Sequence, residues 1–309
     1  MKGPLFYSKI LLFGEYGIIK DSKGLSIPYN FYNGALKTDK NPSKEAIKSN
    51  ESLIKYVTYL KAIDTALVTF DIDALAADVA SGMYFDSSIP QGYGVGSSGA
   101  LVAAIYDQYA QNKITVLENL TRDKLLILKR IFSEMESFFH GKSSGLDPLN
   151  SYLSIPILIN SQDHIETAGI PAQQPNGKGA VFLLDSGIVG ETAPMVRIFM
   201  DNMKQEGFRS MLKHQFIKHT DACVDDFLKG DIKSLFSNTK QLSKVVLNHF
   251  KPMIPQQFHD LWKKGIETNE YYLKLCGSGG GGYMLGFTED IDIARQSLKD
   301  YKLEVVYNF

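Results

Sequence analysis

Residues 89–99 read IPQGYGVGSSG, with Gly92, Gly94 and Gly96 at alternate positions and Ser97, Ser98 and Gly99 directly after them. Leu101, Val102, Ile105, Tyr106 and Tyr109 then recur at helical spacing. A glycine-rich turn that delivers serines to a helix start points backbone amides outward, and the helix dipole adds positive charge there. Such a site suits an anion, and a serine hydroxyl at that spot can reach a phosphate-bound Mg²⁺. The competing reading is an ordinary turn in which Ser97 or Ser98 caps the helix by accepting a first-turn amide.

Two familiar phosphate motifs do not fit. Gly94–Gly99 matches G-x-G-x-x-G, and Glu118 lies near the distance at which a ribose-binding acid would stand. That fingerprint needs an apolar strand running into its first glycine, whereas YFDSSIPQGY with Pro90 leads in here. A Walker A loop requires Lys-Ser/Thr after the glycines, and neither glycine loop has it. The second loop, Gly277–Gly282, sets GSGGGG between the apolar runs YYLKLCG and GYMLGF. Consecutive glycines weaken both flanking strands unless another backbone or a ligand must come close.

The elements that would position these loops can be read from periodicity. KILLFGEYGII (9–19) predicts a strand, a turn at Gly14 and a second short strand. The polar stretch 37–52 predicts an exposed loop entering a helix, whose apolar face is Leu53, Tyr56, Val57 and Leu60. A strong helix is predicted over 122–139, with Gly141 placed for a left-handed cap. A polar connection (160–179) precedes a buried strand at 179–185, helices dominate 194–270, and LEVVYNF closes the chain as a strand. Helices and strands mix without regular βαβ alternation, which predicts an α+β fold with a boundary near 180–195.

The 309 residues are enough for about two domains. With 33 Lys+Arg against 34 Asp+Glu, the net charge of -1 gives no footprint for nucleic acid or an anionic membrane. Cys223 and Cys276 are too few for a disulfide framework and lack metal-ligand spacing, so a reducing, cytoplasmic setting is expected. No apolar run is long enough to span a membrane.

Three segments in order, SKILLFGEYGII, PQGYGVGSSGA and KLCGSGGGGYMLGF, resemble the galactokinase, homoserine kinase, mevalonate kinase and phosphomevalonate kinase (GHMP) superfamily. Within it, EMESFFHGKSSGLD (134–147) and LLDSGIVGET (183–192) resemble the mevalonate kinase branch, the former through Glu136, His140, Gly141, Ser144, Gly145 and Asp147. The resemblance implies an N-terminal domain (1–185) like ribosomal protein S5 domain 2 and a ferredoxin-like C-terminal domain (186–309), with the active site in the cleft between them. It implies ATP- and Mg²⁺-dependent phosphorylation of the primary hydroxyl of mevalonate, and a homodimer as the assembly.

The same resemblance assigns roles. Gly92, Tyr93, Gly94, Val95, Gly96, Ser97 and Ser98 would cradle the ATP phosphates. Ser98 and Glu136 would hold Mg²⁺, a count that matches the one or two protein oxygens this ion usually takes. Asp147 would accept the hydroxyl proton with Lys9 beside it, and Glu15 and Tyr16 would face the acceptor. Gly277, Ser278, Gly279 and Gly280 would form a glycine loop near the site. Taken alone, Glu136 would be a solvated helix glutamate, Lys9 a surface lysine and Asp147 a turn residue before Pro148. His140 reads as a structural helix-end residue, and Phe138, Phe139, Tyr271 and Tyr272 as core. Three departures stand out: Tyr16 where the superfamily has histidine, Gly99 where it has alanine, and Cys276-Gly277-Ser278 where it commonly has Thr-Gly-Ala.

Overall fold

In a computed structural model the described residues are 4–63, 66–116, 119–161 and 163–309, so Glu118 lies outside them. The chain begins with β1 (Phe6–Phe13), β2 (Gly24–Thr38), α1 (Lys44–Ala62), β3 (Thr69–Phe70), α2 (Ile72–Ala80) and β4 (Met83–Ser87). Next come α3 (Ser97–Tyr109), β5 (Ala110–Gln111), α4 (Arg122–His140), α5 (Leu146–Leu153), β6 (Ile157–Ser161), β7 (His164–Thr167) and β8 (Ala180–Asp185). A helical stretch follows as α6 (Thr192–Asn202), α7 (Glu206–Met211), α8 (Lys218–Lys229), α9 (Ile232–His249) and α10 (His259–Thr268). The chain ends with β9 (Tyr272–Leu275), β10 (Tyr283–Thr288), α11 (Ile291–Ser297) and β11 (Leu303–Asn308). This is the expected α+β class.

Two compact units share these elements. The first comprises Met1–Lys9, Ile27–Pro90 and Gly96–Ile155; the second comprises Ile10–Ser26, Gln91–Val95 and Pro156–Phe309. β1 and β2 each contribute residues to both, in a sheet ordered β1-β2-β6-β7 with β4 also pairing β2.

In the first unit, side-chain oxygens of Ser43, Asp71 and Thr121 accept first-turn amides of α1, α2 and α4, satisfying donors the helix leaves unpaired. The buried faces are those the periodicity marks: Leu53, Tyr56, Val57 and Leu60 on α1, and Leu125, Leu128, Ile131, Phe132 and Met135 on α4. Tyr106, Phe132 and Tyr152 meet edge to face, which locks α3, α4 and α5 together.

The second unit is built on a four-stranded sheet, β11-β8-β10-β9, with every neighbour antiparallel. Its central strands are almost wholly buried, so they read as continuous apolar runs without alternation. Phe182 of β8 stands opposite Gly286 of β10, where a side-chain carbon would sit 2.2 Å from the Phe182 ring. Trp262 is fully buried and donates its indole N–H to Ser243 Oγ at 2.8 Å.

Three local expectations change. The second strand predicted in 9–19 is instead a single 3₁₀ turn, Gly17–Lys20. Tyr16 and Asp21 both have positive φ and bracket it, and Ser22 N–H closes on Gly17 O at 3.1 Å. The polar connection at 160–179 contains β7, because Ile165 is fully buried opposite Ile159 of β6. The cap of α3 is Gly96, in the left-handed region, and no side chain caps the first turn.

Truncating Phe182 should leave a void over Gly286 at the centre of the sheet. Phe182→Ala is expected to lower unfolding stability by about 3–5 kcal/mol, read as a lower urea midpoint. A loss below about 1 kcal/mol would mean the ring is not part of a packed core.

Candidate active site

In the first unit, four elements bring the expected polar residues together. Lys9, in the middle of β1, is buried, and its Nζ lies 2.8 Å from Asp147 Oδ1. Asp147 stands in the first turn of α5 and keeps 37% of its side chain exposed. Ser98, in the first turn of α3, donates to Glu136 Oε1 at 2.8 Å and lies 3.0 Å from His140 Nε2. Ser143 donates to Glu136 Oε2, so a serine hydroxyl holds each carboxylate oxygen.

Glu136 is only 3% exposed, not a solvated helix residue. Burial, and then Asp147's charge, push its pKa up to about 7 against the opposing effects of Ser143, Ser98 and Lys9. A buried carboxylate next to a second carboxylate, with a single lysine nearby, is a place where a divalent cation relieves repulsion. Among the described residues no cluster of three or more His, Cys, Asp or Glu could hold a metal ion by itself. Ser98 and Glu136 present one hydroxyl and one carboxylate, and a hard ion commonly takes its other ligands from phosphate and water.

Packing decides where Asp147 sits. A side-chain carbon on Gly99 would stand 2.7 Å from the Asp147 carbonyl carbon and 2.7 Å from Pro148 N. The departure from alanine at 99 therefore goes with a closer approach of α5 to α3. The first-turn amides of α3 have no side-chain cap, which leaves them suited to an anion. The hydroxyl expected to cap them is turned to Glu136 instead.

In the second unit, Gly92–Val95 run backbone to backbone with the second glycine loop. A side-chain carbon on Gly94 would stand 2.4 Å from Cys276 O. Gly190 N–H donates to Gly92 O at 2.9 Å, and Tyr93 packs edge to face on Tyr283. The glycines of 277–282 thus admit another backbone, one of the two reasons their run implied, rather than making a loose hairpin.

Glu15 and Tyr16, expected on the acceptor side, are both buried. Glu15 Oε1 lies 2.5 Å from Lys274 Nζ, in a pair whose side chains are almost fully covered. Tyr16 stacks on Phe199 with ring centroids 4.7 Å apart and donates its hydroxyl to Ser278 O at 2.7 Å. Burial, and then the Glu15 charge, push its pKa far up, so it is a neutral donor. Beside the pair is a cavity of about 10 Å³, lined by Phe216, Thr220, Leu242 and Val246 among others. That is room for about one water, not for an organic substrate. Tyr271 and Tyr272 are buried, as expected of core, whereas Phe138 and Phe139 pack with Tyr56 but remain partly exposed.

Sequence reasoning missed two residues. Lys274 sits between Leu273 and Leu275 in a buried strand, and a charge there requires a partner; that was the available signal. Ser143 was an unmarked position inside HGKSSG, and nothing in its spacing separates it from Ser144.

Residues 58–154 match the family model for the GHMP kinases N-terminal domain. No curated protein sequence matches the chain. Among solved structures, L. major mevalonate kinase in complex with R-mevalonate is 17% identical at a TM-score of 0.63, covering 97% of this chain and 93% of that one. Streptococcus pneumoniae phosphomevalonate kinase, with phosphomevalonate and AMPPNP, is 13% identical at 0.61, covering 98% of each chain. Lactococcus lactis galactokinase complexed with galactose is 11% identical at 0.64, covering 98% of this chain and 92% of that one. At these identities the likeness shows a shared fold. No helix among the described residues is long and apolar enough to cross a membrane.

Two stability tests follow from the buried charges. Glu136 titrates near 7 when folded, against 4.5 for an ordinary glutamate, so between these values the folded chain holds a proton the unfolded chain has lost. Stability should therefore fall with rising pH across that window, by up to about 1.4 kcal/mol per unit. Urea midpoints at pH 5 and pH 7.5 should converge in Glu136→Gln; parallel profiles for variant and wild type would refute the burial argument. Separately, Lys274→Met leaves Glu15 buried without its cation and should cost about 3–5 kcal/mol, with much of the loss recovered in the Glu15→Gln/Lys274→Met double variant. Equal losses in the single and double variants would count against the pairing.

Proposed function

We propose that this chain is a GHMP kinase, a reading supported by the N-terminal domain match and the shared fold, and that it phosphorylates the primary hydroxyl of mevalonate with ATP and Mg²⁺. The observation that carries the reading is the first unit's cluster. A half-exposed carboxylate paired with a buried lysine stands with a serine–glutamate pair and an uncapped helix start.

Bound ATP would supply the phosphoryl group, and Mg²⁺ would neutralise the charge on it. Phosphoryl transfer asks little covalent work of the protein; positioning and charge do most of it. In the segment Gly92–Ser98, the uncapped amides at the start of α3 receive phosphate oxygens. Ser98 and Glu136 offer the hydroxyl and carboxylate oxygens for the metal, and Ser143 keeps one carboxylate oxygen in place. Asp147 would accept the proton of the alcohol as the alcohol oxygen bonds to the γ-phosphorus and the bond from that phosphorus to the departing ADP oxygen breaks. Lys9 holds Asp147 in that orientation from 2.8 Å. Ground-state binding of the acceptor leaves Glu15 and Tyr16 a supporting part: they shape the second unit around Lys274 and the Ser278 turn, since both side chains are engaged there.

A second reading, another kinase of the superfamily acting on phosphomevalonate or a sugar, draws on Tyr16. A tyrosine packed against Phe199 and Phe250, with its hydroxyl given to Ser278 O, is already engaged and does not offer that group to an acceptor. ADP release measured across mevalonate, phosphomevalonate, galactose and homoserine separates the readings. Turnover only with phosphomevalonate or galactose would replace mevalonate as the substrate, and ADP release with none would end the kinase assignment for these acceptors.

Asp147→Asn keeps size and polarity but cannot take a proton. A general base contributes ~10²–10⁴-fold, so turnover should fall by at least ~10²-fold. ATP binding should persist, because the phosphates rest on other residues. Near-normal turnover in the folded variant would remove Asp147 from the chemistry, and joint loss of ATP binding would make it structural.

A further inference from the structure

We infer that Ser143 is a positioning residue for metal binding: its hydroxyl fixes the Glu136 carboxylate for the metal and ties it to the turn that carries Asp147. The inference rests on the kinase reading above.

The observations are a chain of hydrogen bonds within the first unit. Ser143 Oγ donates to Glu136 Oε2 and accepts the Gly145 amide at 3.0 Å. Gly145 caps α5, and Asp147 follows two residues later in its first turn. Ser143 is itself anchored from α4 on both backbone groups. Its carbonyl accepts Ser133 Oγ at 2.5 Å, and its N–H donates to Ser137 Oγ at 3.3 Å. Ser137 Oγ in turn donates to Ser133 O at 2.7 Å, closing the ladder on the helix that carries Glu136.

This arrangement does something that Ser98 cannot do alone. Ser98 donates to Oε1, the oxygen on the side of the α3 start. A metal ion bound between Ser98 and Glu136 would take lone pairs from both, and the Ser98 hydroxyl proton would have to turn away from Oε1. Ser143 then remains as the hydroxyl that holds the buried carboxylate in rotation, and its own geometry is fixed by Gly145, Ser133 and Ser137. Groups that orient a metal ligand in this way typically change metal affinity 10–100-fold when removed.

The test is metal-dependent nucleotide binding, read by calorimetry on the purified full chain with ADP, in Mg²⁺ and in EDTA. In Ser143→Ala the affinity gained from Mg²⁺ should fall about 10-fold, while the affinity in EDTA stays at the wild-type value. Ser143→Thr keeps the hydroxyl and should restore the Mg²⁺ gain. Ser143→Cys keeps the shape with a weak donor and should resemble alanine, which covers the case in which the alanine variant does not fold. In steady state, Ser143→Ala should raise the KM for Mg·ATP more than it lowers kcat. An unchanged Mg²⁺ gain in both the alanine and cysteine variants overturns the role of Ser143 and leaves the kinase reading intact. Equal loss in Mg²⁺ and EDTA, not rescued by threonine, makes Ser143 a structural turn residue and also overturns the inference. A wild-type chain that gains no ADP affinity from Mg²⁺ overturns the kinase reading itself, and this inference with it.

Discussion

The contact between α3 and α5 leaves no room for a side-chain carbon at position 99, and the chemistry of the first unit depends on it. Ser98 precedes that contact on one helix, and Asp147 forms it on the other. Two first turns therefore meet with only backbone between them, which places a carboxylate at the favourable end of α5 and an uncapped set of amides at the start of α3. A larger residue at 99 would press directly on the Asp147 main chain. The glycine thus helps set the position of Asp147, although it offers no side chain of its own.

Around that contact the charges are unevenly matched. Lys9 pairs with Asp147, while Glu136 is left with hydroxyl donors and with Asp147's repulsion. An isolated carboxylate this deeply buried is normally unfavourable and protonates instead. The uncapped amides ask for negative charge, and the buried carboxylate, one hydrogen bond away from Ser98, asks for positive charge. A metal-bound phosphate answers both demands at once, whereas a bare anion answers only the first. This complementarity favours a metal-dependent phosphoryl-transfer reading over a simple anion-binding turn.

Much of the frame was legible in the sequence because periodic apolar faces predict helices well. The faces of α1 and α4 and the buried strand β8 appear where the spacing puts them. Ser98, Glu136, Asp147 and Lys9 were named by motif resemblance, and the structure brings them into one cluster. What could not be read were features set by partners distant in sequence. Glu15 and Lys274 are 259 positions apart, so neither one's burial shows in its own neighbourhood. The turn at Gly17–Lys20 defeated a strand reading because positive φ at Tyr16 and Asp21 comes from closure on Ser22, not from local propensity. The serine cap failed for a different reason, since Ser98 had a stronger partner in a buried carboxylate than in an amide.

The second unit follows the same rule with other means: backbone must come close, and what cannot be backbone is neutralised. A side-chain carbon on Gly94 would collide with the Cys276 carbonyl, and the Cys276 thiol also faces the loop, with Sγ 4.0 Å from Gly94 O. The departure at 278 is tolerated, because Tyr16 binds the Ser278 carbonyl and any residue there would present one. Tyr16 itself is different. Its ring packs against both Phe199 and Phe250, and its hydroxyl reaches the loop, two demands that a smaller histidine ring would not meet together. The positive φ at Tyr16 carries a backbone cost for a bulky residue, offset here by stacking and a hydrogen bond. Tyr16 is therefore part of the second unit's core, with its ring and its hydroxyl both engaged there.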